Sequence, residues 1–66
     1  MKTDKVTRED LRAIRNGETR SFELPTYAAV VSGKSSAYIL GRVDGCRFEC
    51  KTEPSTNTLH VTRYDR

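Results

Sequence analysis

The chain of 66 residues contains no tryptophan, one histidine and two cysteines, and this scarcity excludes several kinds of site. A structural zinc site takes four cysteine or histidine ligands at short spacings, and this set cannot supply them. Cys46 and Cys50 are four residues apart on a predicted strand, which separates their Cα atoms by about 13 Å, whereas a disulfide needs about 7 Å or less. We therefore expect two free thiols that face the core, no metal and no other cofactor.

Long apolar runs are also missing. No stretch approaches the roughly 18 apolar residues of a transmembrane helix, and the first residues lack the apolar run of a signal peptide. We expect a soluble, cytoplasmic protein with no membrane role. At this length it is a single domain, residues 1–66, with a small core, and its polar start, Met1–Lys5, is expected to fray.

Charge is plentiful but mixed in sign. Twelve lysines and arginines stand against nine acids, which gives a net charge of +3 and a pI near 9.1. Eight of the twelve cations are arginine, whose planar fork suits phosphate groups. The acids are interspersed, so the composition favours polyanionic partners only mildly.

The first helix is predicted from its capping residues. Thr7 is a suitable N-cap, Glu9 and Asp10 follow in the first turn, and Asn16-Gly17 is a left-handed stop signal. These signals predict a short helix over Arg8–Arg15.

Three segments alternate apolar and polar residues with the period of a strand, and one segment has the period of a helix. The predicted strands are Thr19–Leu24, Cys46–Glu53 and Thr58–Tyr64, and the predicted long helix is Thr26–Val43. The fold class is therefore α+β: a short N-terminal helix, then β-α-β-β, with a three-stranded antiparallel sheet covered on one face by the long helix. We expect the last strand in the middle, because that order makes every pairing antiparallel.

The core is predicted from the apolar positions of these patterns. Its expected members are Phe22, Leu24, Val30, Ala37, Leu40, Phe48, Leu59 and Val61.

One segment imitates a nucleotide-binding motif. Ala28–Ser35 ends in Gly-Lys-Ser and matches a permissive phosphate-binding loop. A true loop of this kind lies between a strand and a helix, whereas here the helix pattern already begins before Gly33. We expect no nucleotide binding, with Lys34 facing water.

The sheet face away from the long helix is the candidate functional surface. It is expected to be basic, with cations beside His60 and Tyr64, a composition common in nucleic-acid contacts, because cations hold phosphates and aromatic rings stack on bases. Glu23 and Glu49 are expected on the same face and would repel phosphate. The predicted nucleic-acid-binding residues, for DNA or RNA, are Arg20, Arg47, Lys51, His60, Arg63 and Tyr64.

A second interpretation stays open at this point. An antiparallel sheet commonly has one solvated face without any ligand, and a small domain gains stability by self-association. Thr19–Leu24 is a candidate exposed edge for a homodimer or for a protein partner. Salt discriminates between the two, because nucleic-acid binding weakens steeply with ionic strength.

Enzymatic activity is not expected. His60 is the single histidine, and a general base needs a nucleophile or a carboxylate that the linear sequence does not place beside it.

Three short stretches resemble the small uncharacterised proteins of phages and conjugative elements of gut bacteria. They are Val6–Leu11, Phe22–Pro25 and Thr56–Arg63. The resemblance implies a mobile-DNA context, in which small accessory proteins often contact DNA, and it implies no particular activity.

Overall fold

A computed structural model describes residues 4–65 of the chain. Its elements follow the order helix, strand, helix, strand, strand, which confirms the α+β prediction. The bounds are α1 Arg8–Arg12, β1 Thr19–Glu23, α2 Tyr27–Asp44, β2 Cys46–Glu53 and β3 Thr58–Asp65. Of the residues predicted to fray, Met1–Lys5, the first three lie outside the described residues.

The sheet has three strands in the order β1-β3-β2, and both pairings are antiparallel. The last strand therefore lies in the middle, as predicted. β1 is an edge, also as predicted, and β2 forms the other edge.

The first helix begins as predicted and ends earlier. Asp10 N–H donates to Thr7 Oγ1 at 3.2 Å and Thr7 N–H donates to Asp10 Oδ2 at 3.1 Å, so the two residues form a capping box. The helix stops at Arg12, and the prediction that it extends to Arg15 before an Asn16-Gly17 stop is wrong. Gly17 is left-handed, with φ of 79°, but it turns the chain toward β1 and donates its N–H to Arg63 O at 2.7 Å.

The long helix lies very close to the sheet. Thr26 is its N-cap, Gly45 ends it in a left-handed conformation, and it runs unbroken through Ser32–Ser36. A Cβ added at Gly41 would lie 2.9 Å from the backbone oxygen of Cys46, and one added at Gly33 would lie 3.0 Å from Leu59. Glycine at these positions allows the close approach.

The core contains all eight predicted members, each of which is buried. Val6, Leu11, Ile14 and Cys46 are buried with them, and Cys50 is half-buried beside the cluster. Both cysteines are free, which confirms the thiol prediction.

The outward face of α2 is unusually apolar for a surface. Five of its large hydrophobic side chains are exposed: Tyr27, Val31, Tyr38, Ile39 and Val43. Among residues 4–65, no helix has both the length and the apolar character needed to cross a membrane.

Candidate nucleic-acid interface

The strand register assigns the polar residues to one face or the other. Residues directly opposite each other in neighbouring strands point to the same side of a sheet. The face away from α2, called here the open face, carries Thr19, Ser21 and Glu23 of β1, Thr58, His60, Thr62 and Tyr64 of β3, and Arg47, Glu49, Lys51 and Glu53 of β2.

The open face alone is not basic. It has two cations, Arg47 and Lys51, and three carboxylates, those of Glu23, Glu49 and Glu53. Arg47 Nη2 also donates to Glu49 Oε1 at 3.2 Å, so one cation already has an acidic neighbour. The prediction that this face is basic is therefore wrong.

Two of the predicted residues belong to the other side of the sheet. Arg20 is opposite Val61 in the register, and Arg63 is opposite Phe48, so both arginines alternate with the open-face positions. They were predicted to assist the open face in binding, and they lie outside that face. The cause is the strict two-residue alternation of a strand.

Arg63 has a structural role that the sequence did not reveal. Its Nη1 donates to Ile14 O at 3.2 Å and to Arg12 O at 3.5 Å, so it satisfies carbonyls at the end of α1. Its Nε donates to Asp65 Oδ1 at 2.8 Å, and that hydrogen bond is the main reason that the pKa of Arg63 is above its ordinary value. Arg63 and Ile14 are 49 residues apart in the sequence, so no local sequence pattern could have predicted this hydrogen bond.

Arginines from several elements meet at one end of the molecule. There the chain enters β1 and β2, β3 ends, and both helices have their C-termini. We call this region the arginine end. It comprises Arg12, Arg15, Arg20, Arg42, Arg47 and Arg63.

Several contacts tie the arginine end together. Arg12 Nε donates to Asp44 Oδ2 at 3.1 Å and so joins the ends of α1 and α2. Arg42 and Arg47 line one shallow depression of about 230 Å³ with Tyr38 and Phe48.

Glu18 is the acid between two further arginines. Its Oε1 accepts from Arg20 Nε at 3.0 Å and from the backbone N–H of Arg15 at 3.4 Å. The pKa of Glu18 is lowered, chiefly by the hydrogen bond from Arg20 and then by the one from Arg15. The environment around this carboxylate is therefore positive.

Charge is segregated along the strands. In residues 4–65, the arginine end has six cations against the four acids beside it, Glu18, Asp44, Glu49 and Asp65. The remaining described residues have four cations and five acids. The net positive charge of the described chain therefore lies at the arginine end.

The six predicted residues form two groups. Tyr64 is opposite Arg47 in the register, which puts this pair at the arginine end together with Arg63, whereas Arg20 is opposite Val61 near the middle of the sheet and its side chain joins that end through Glu18. Lys51 and His60 are opposite each other four positions along β2, about 13 Å away at the rise of a strand.

His60 is held between two partners. Its Nε2 lies 2.8 Å from Glu53 Oε1, and its Nδ1 lies 2.6 Å from Ser21 Oγ. A carboxylate only accepts hydrogen bonds, so Nε2 carries a hydrogen, and Nδ1 of the neutral ring then accepts from the Ser21 hydroxyl. Sequence reasoning missed both partners; only the strand register, which places Ser21 opposite His60, could have identified the serine.

Ser21, His60 and Glu53 are hydrogen-bonded in the order hydroxyl, imidazole, carboxylate, which is the order of a serine-hydrolase triad, but their surroundings differ. Such a relay also needs donors, usually backbone N–H groups, aimed at the developing oxyanion. Here the residues lie on a sheet, whose N–H groups point toward neighbouring strands rather than out of the face. The arrangement is suited to holding the imidazole at a fixed angle.

Comparison with known proteins adds no family to this picture. No protein-family model, no curated protein and no solved structure matches the chain.

Proposed function

We propose that the protein is a non-enzymatic module that binds the backbone of a nucleic acid through its arginine end. The observation that carries the proposal is the convergence of six arginines on one end of a small domain. Net positive charge confined to one region is the electrostatic requirement for binding a phosphate backbone.

The existing ion pairs do not prevent this binding. Exposed pairs contribute only about 0–1 kcal/mol to stability, so an arginine can exchange a carboxylate for a phosphate at small cost. Arg42 and Arg47 share one depression and are exposed, which makes them the leading phosphate contacts. Tyr64 lies opposite Arg47 with 43% of its surface exposed, and its ring can stack on a base.

Lys51 and His60 take a secondary place in the proposal. Glu53 adjoins both of them and repels phosphate, and His60 is already engaged on both ring nitrogens. The protein would contact the backbone without reading sequence, because none of these contacts selects a base. An accessory role in a mobile element, which the sequence resemblance implies, remains a prediction.

One observation favours a protein partner as the second candidate. The exposed hydrophobic side chains of α2 form a surface of the kind that marks protein contacts. Nucleic acid does not explain that surface.

Fluorescence anisotropy with labelled duplex and single-stranded oligonucleotides, at two or more salt concentrations, tests the proposal. The test variant is Arg47→Ala and the matched control is Lys51→Ala, which removes the same charge from the same strand outside the arginine end. For duplex DNA, Arg47→Ala should reduce the slope of log affinity against log salt by about 0.9, while Lys51→Ala leaves it nearly unchanged.

Two results would contradict the proposal. If no oligonucleotide binds at low salt, the arginine end is not a nucleic-acid site. If both variants lose affinity equally, the attraction is that of net charge alone and the arginine end has no particular role.

A further inference from the structure

The open edge of β2 is the longer of the two sheet edges. β2 has eight residues and pairs with β3 on one side only, whereas β1 has five residues and is followed closely by Pro25. A long edge strand is a template for another strand.

The hydrogen bonds of the sheet show which backbone groups face this edge. Leu24 N–H donates to Asn57 O at 2.9 Å and Arg63 N–H donates to Glu18 O at 3.2 Å, so odd-numbered residues of this segment direct their backbone groups toward β1. Backbone groups alternate in direction along a strand, so even-numbered β3 residues face β2 and pair with Arg47, Glu49, Lys51 and Glu53. The N–H and C=O groups of Phe48, Cys50 and Thr52 are therefore left pointing out of the sheet at the free edge.

The side chains on the open face of β2 alternate in charge along this edge. They are Arg47, Glu49, Lys51 and Glu53, which read positive, negative, positive, negative. Such a series is complementary to its own reverse. In a second, antiparallel copy centred on Cys50, Arg47 meets Glu53 and Glu49 meets Lys51, so all four cross-strand pairs are attractive.

The neighbouring registers are unfavourable. Only residues whose backbone groups point out of the edge can exchange hydrogen bonds across it. In every allowed antiparallel register the two-fold axis therefore passes beside a single residue of β2, and the next register moves this centre by one residue. Centring on Glu49 places Glu49 opposite its own copy and Arg47 opposite Lys51. Centring on Lys51 places Lys51 opposite its own copy and Glu49 opposite Glu53. Like charges directly opposite each other are destabilising, and centring on Phe48 or Thr52 leaves only two attractive pairs, so the series favours Cys50, which has four, as the centre.

We propose that two copies of this chain associate through β2, antiparallel and centred on Cys50, to form a continuous six-stranded sheet. The association does not require nucleic acid, and of the arginine end it uses only Arg47, which meets Glu53 of the second copy. It is a two-fold, self-complementary contact of the type found in most homodimers.

The helix layer fits the same arrangement. Tyr38 lies beside Phe48 at the β2 side of α2, and Tyr27 and Val31 precede it by nearly whole helical turns, so all three share that side of the helix. Two helices that each lie above the line between β2 and β3 would be about 10 Å apart across the new junction, which is the usual helix packing distance. The association would therefore also cover part of the exposed apolar side of α2.

One group opposes the association. Lys34 precedes Tyr38 by little more than one helical turn, so it lies on the same β2 side of α2, toward the proposed two-fold axis. Two ammonium groups would approach each other there, so Lys34→Met should tighten the dimer severalfold.

Sedimentation equilibrium up to about 1 mM protein, with a reductant present, tests the proposal, because a small strand-edge contact is of the weak, transient class. Glu49→Lys and Lys51→Glu each reverse two of the four cross-strand pairs and should weaken dimerisation at least tenfold. The double variant, which exchanges the two charges, restores every attractive pair at unchanged net charge and should dimerise like the parent. An equimolar mixture of the two single variants should form heterodimers.

A crosslink gives an independent measurement. Opposed residues at a hydrogen-bonded site have Cα atoms about 5.5 Å apart, which is within the range for a disulfide. Diamide, which takes up the two thiol hydrogens as the bond forms, should link Cys50 to Cys50 of the second copy. Cys46→Ser should retain the crosslinked dimer and Cys50→Ser should lose it.

Circular dichroism establishes that each variant is folded, which is expected because Glu49 and Lys51 are exposed. A parent chain that is monomeric throughout the concentration range would overturn the proposal. A dimer whose affinity is unchanged by both charge reversals would also overturn the proposal. If Val31→Ser abolishes that dimer, the outward face of α2 is the interface instead. A crosslink through Cys46 would also refute the register.

Discussion

The guanidinium of Arg63 donates to the backbone carbonyl of Ile14 at 3.2 Å, and this bond fastens the residues after α1 to the end of the central strand. Ile14 is fully buried, so the contact also fixes an apolar side chain in the core. Arg63, which was predicted to bind a nucleic acid, thus already uses its guanidinium for hydrogen bonds within the fold.

Replacing Arg63 with alanine should reduce the free energy of unfolding by about 1–3 kcal/mol, because charge-assisted hydrogen bonds to carbonyl groups are lost. Urea denaturation measures the change. Arg20→Ala is the matched control, since it removes only the exposed ion pair with Glu18, and it should change stability by less than about 1 kcal/mol. Equal effects would refute the structural role of Arg63.

Replacing Phe48 with alanine should cost about 3–5 kcal/mol, as large deletions in a core do. The side chain is buried between α2 and the sheet, and a domain of 66 residues has little stability in reserve. Thermal unfolding should show near-complete loss of the folded state. Ile39→Ala, on the outward face of α2, should be mild by comparison, and an unchanged melting temperature for Phe48→Ala would disprove the core assignment.

Gly41→Ala should destabilise the protein by about 1–3 kcal/mol, although alanine is the better helix former. The added Cβ would stand 2.9 Å from the backbone oxygen of Cys46, and backbone yields less readily than a side chain. Ser32→Ala, at an exposed position of the same helix, should instead raise stability by a few tenths of a kcal/mol. Chemical denaturation of the two variants should show opposite signs; a stabilising Gly41→Ala would mean that α2 stands farther from β2.

Cys50 should make stability depend on alkaline pH. Burial raises the pKa of its thiol to about 11, from an ordinary value of 9.0. The unfolded chain thus loses this proton at lower pH than the folded protein, so the stabilising contribution is complete below about pH 9 and is lost as pH rises toward 11. Denaturation between pH 8 and 11 should show a smaller decline for Cys50→Ser than for the parent, and an equal decline would assign the effect to other groups.

Magnesium ATP and GTP should not bind. Ser32–Ser36 lies within the continuous helix α2, whose backbone N–H groups are used by the helix and cannot surround a phosphate. Isothermal titration calorimetry should detect no saturable heat. Magnesium-dependent binding that disappears in Lys34→Ala would show that the segment is a genuine phosphate-binding loop.

Elements with strong local signals were predictable from the sequence. The predicted N-cap Thr7 marks the start of α1, the predicted long helix Thr26–Val43 lies within one residue of the observed Tyr27–Asp44, and two-residue alternation places β2 at its observed bounds. The central position of β3 followed from requiring antiparallel pairing. Each of these inferences needs only neighbours along the chain or one rule of sheet geometry.

The candidate site was predictable only in part. The sequence identified Arg47, Lys51, His60 and Tyr64 as polar residues of one face, and the register places them there. It added Arg20 and Arg63 as assisting residues, and alternation puts both on the opposite side of the sheet. The arginine end was missed because its six members come from six separate elements and connections, and their proximity is a property of the tertiary fold.

The central position of β3 also has a consequence for the order of folding. β1 and β2 each pair with β3 and not with each other. During synthesis, a nascent chain that has exposed β1, α2 and β2 has no sheet pairing available until β3 emerges. β3 must therefore be synthesised before either β1 or β2 can enter the sheet, so the sheet is the last part of the fold to form.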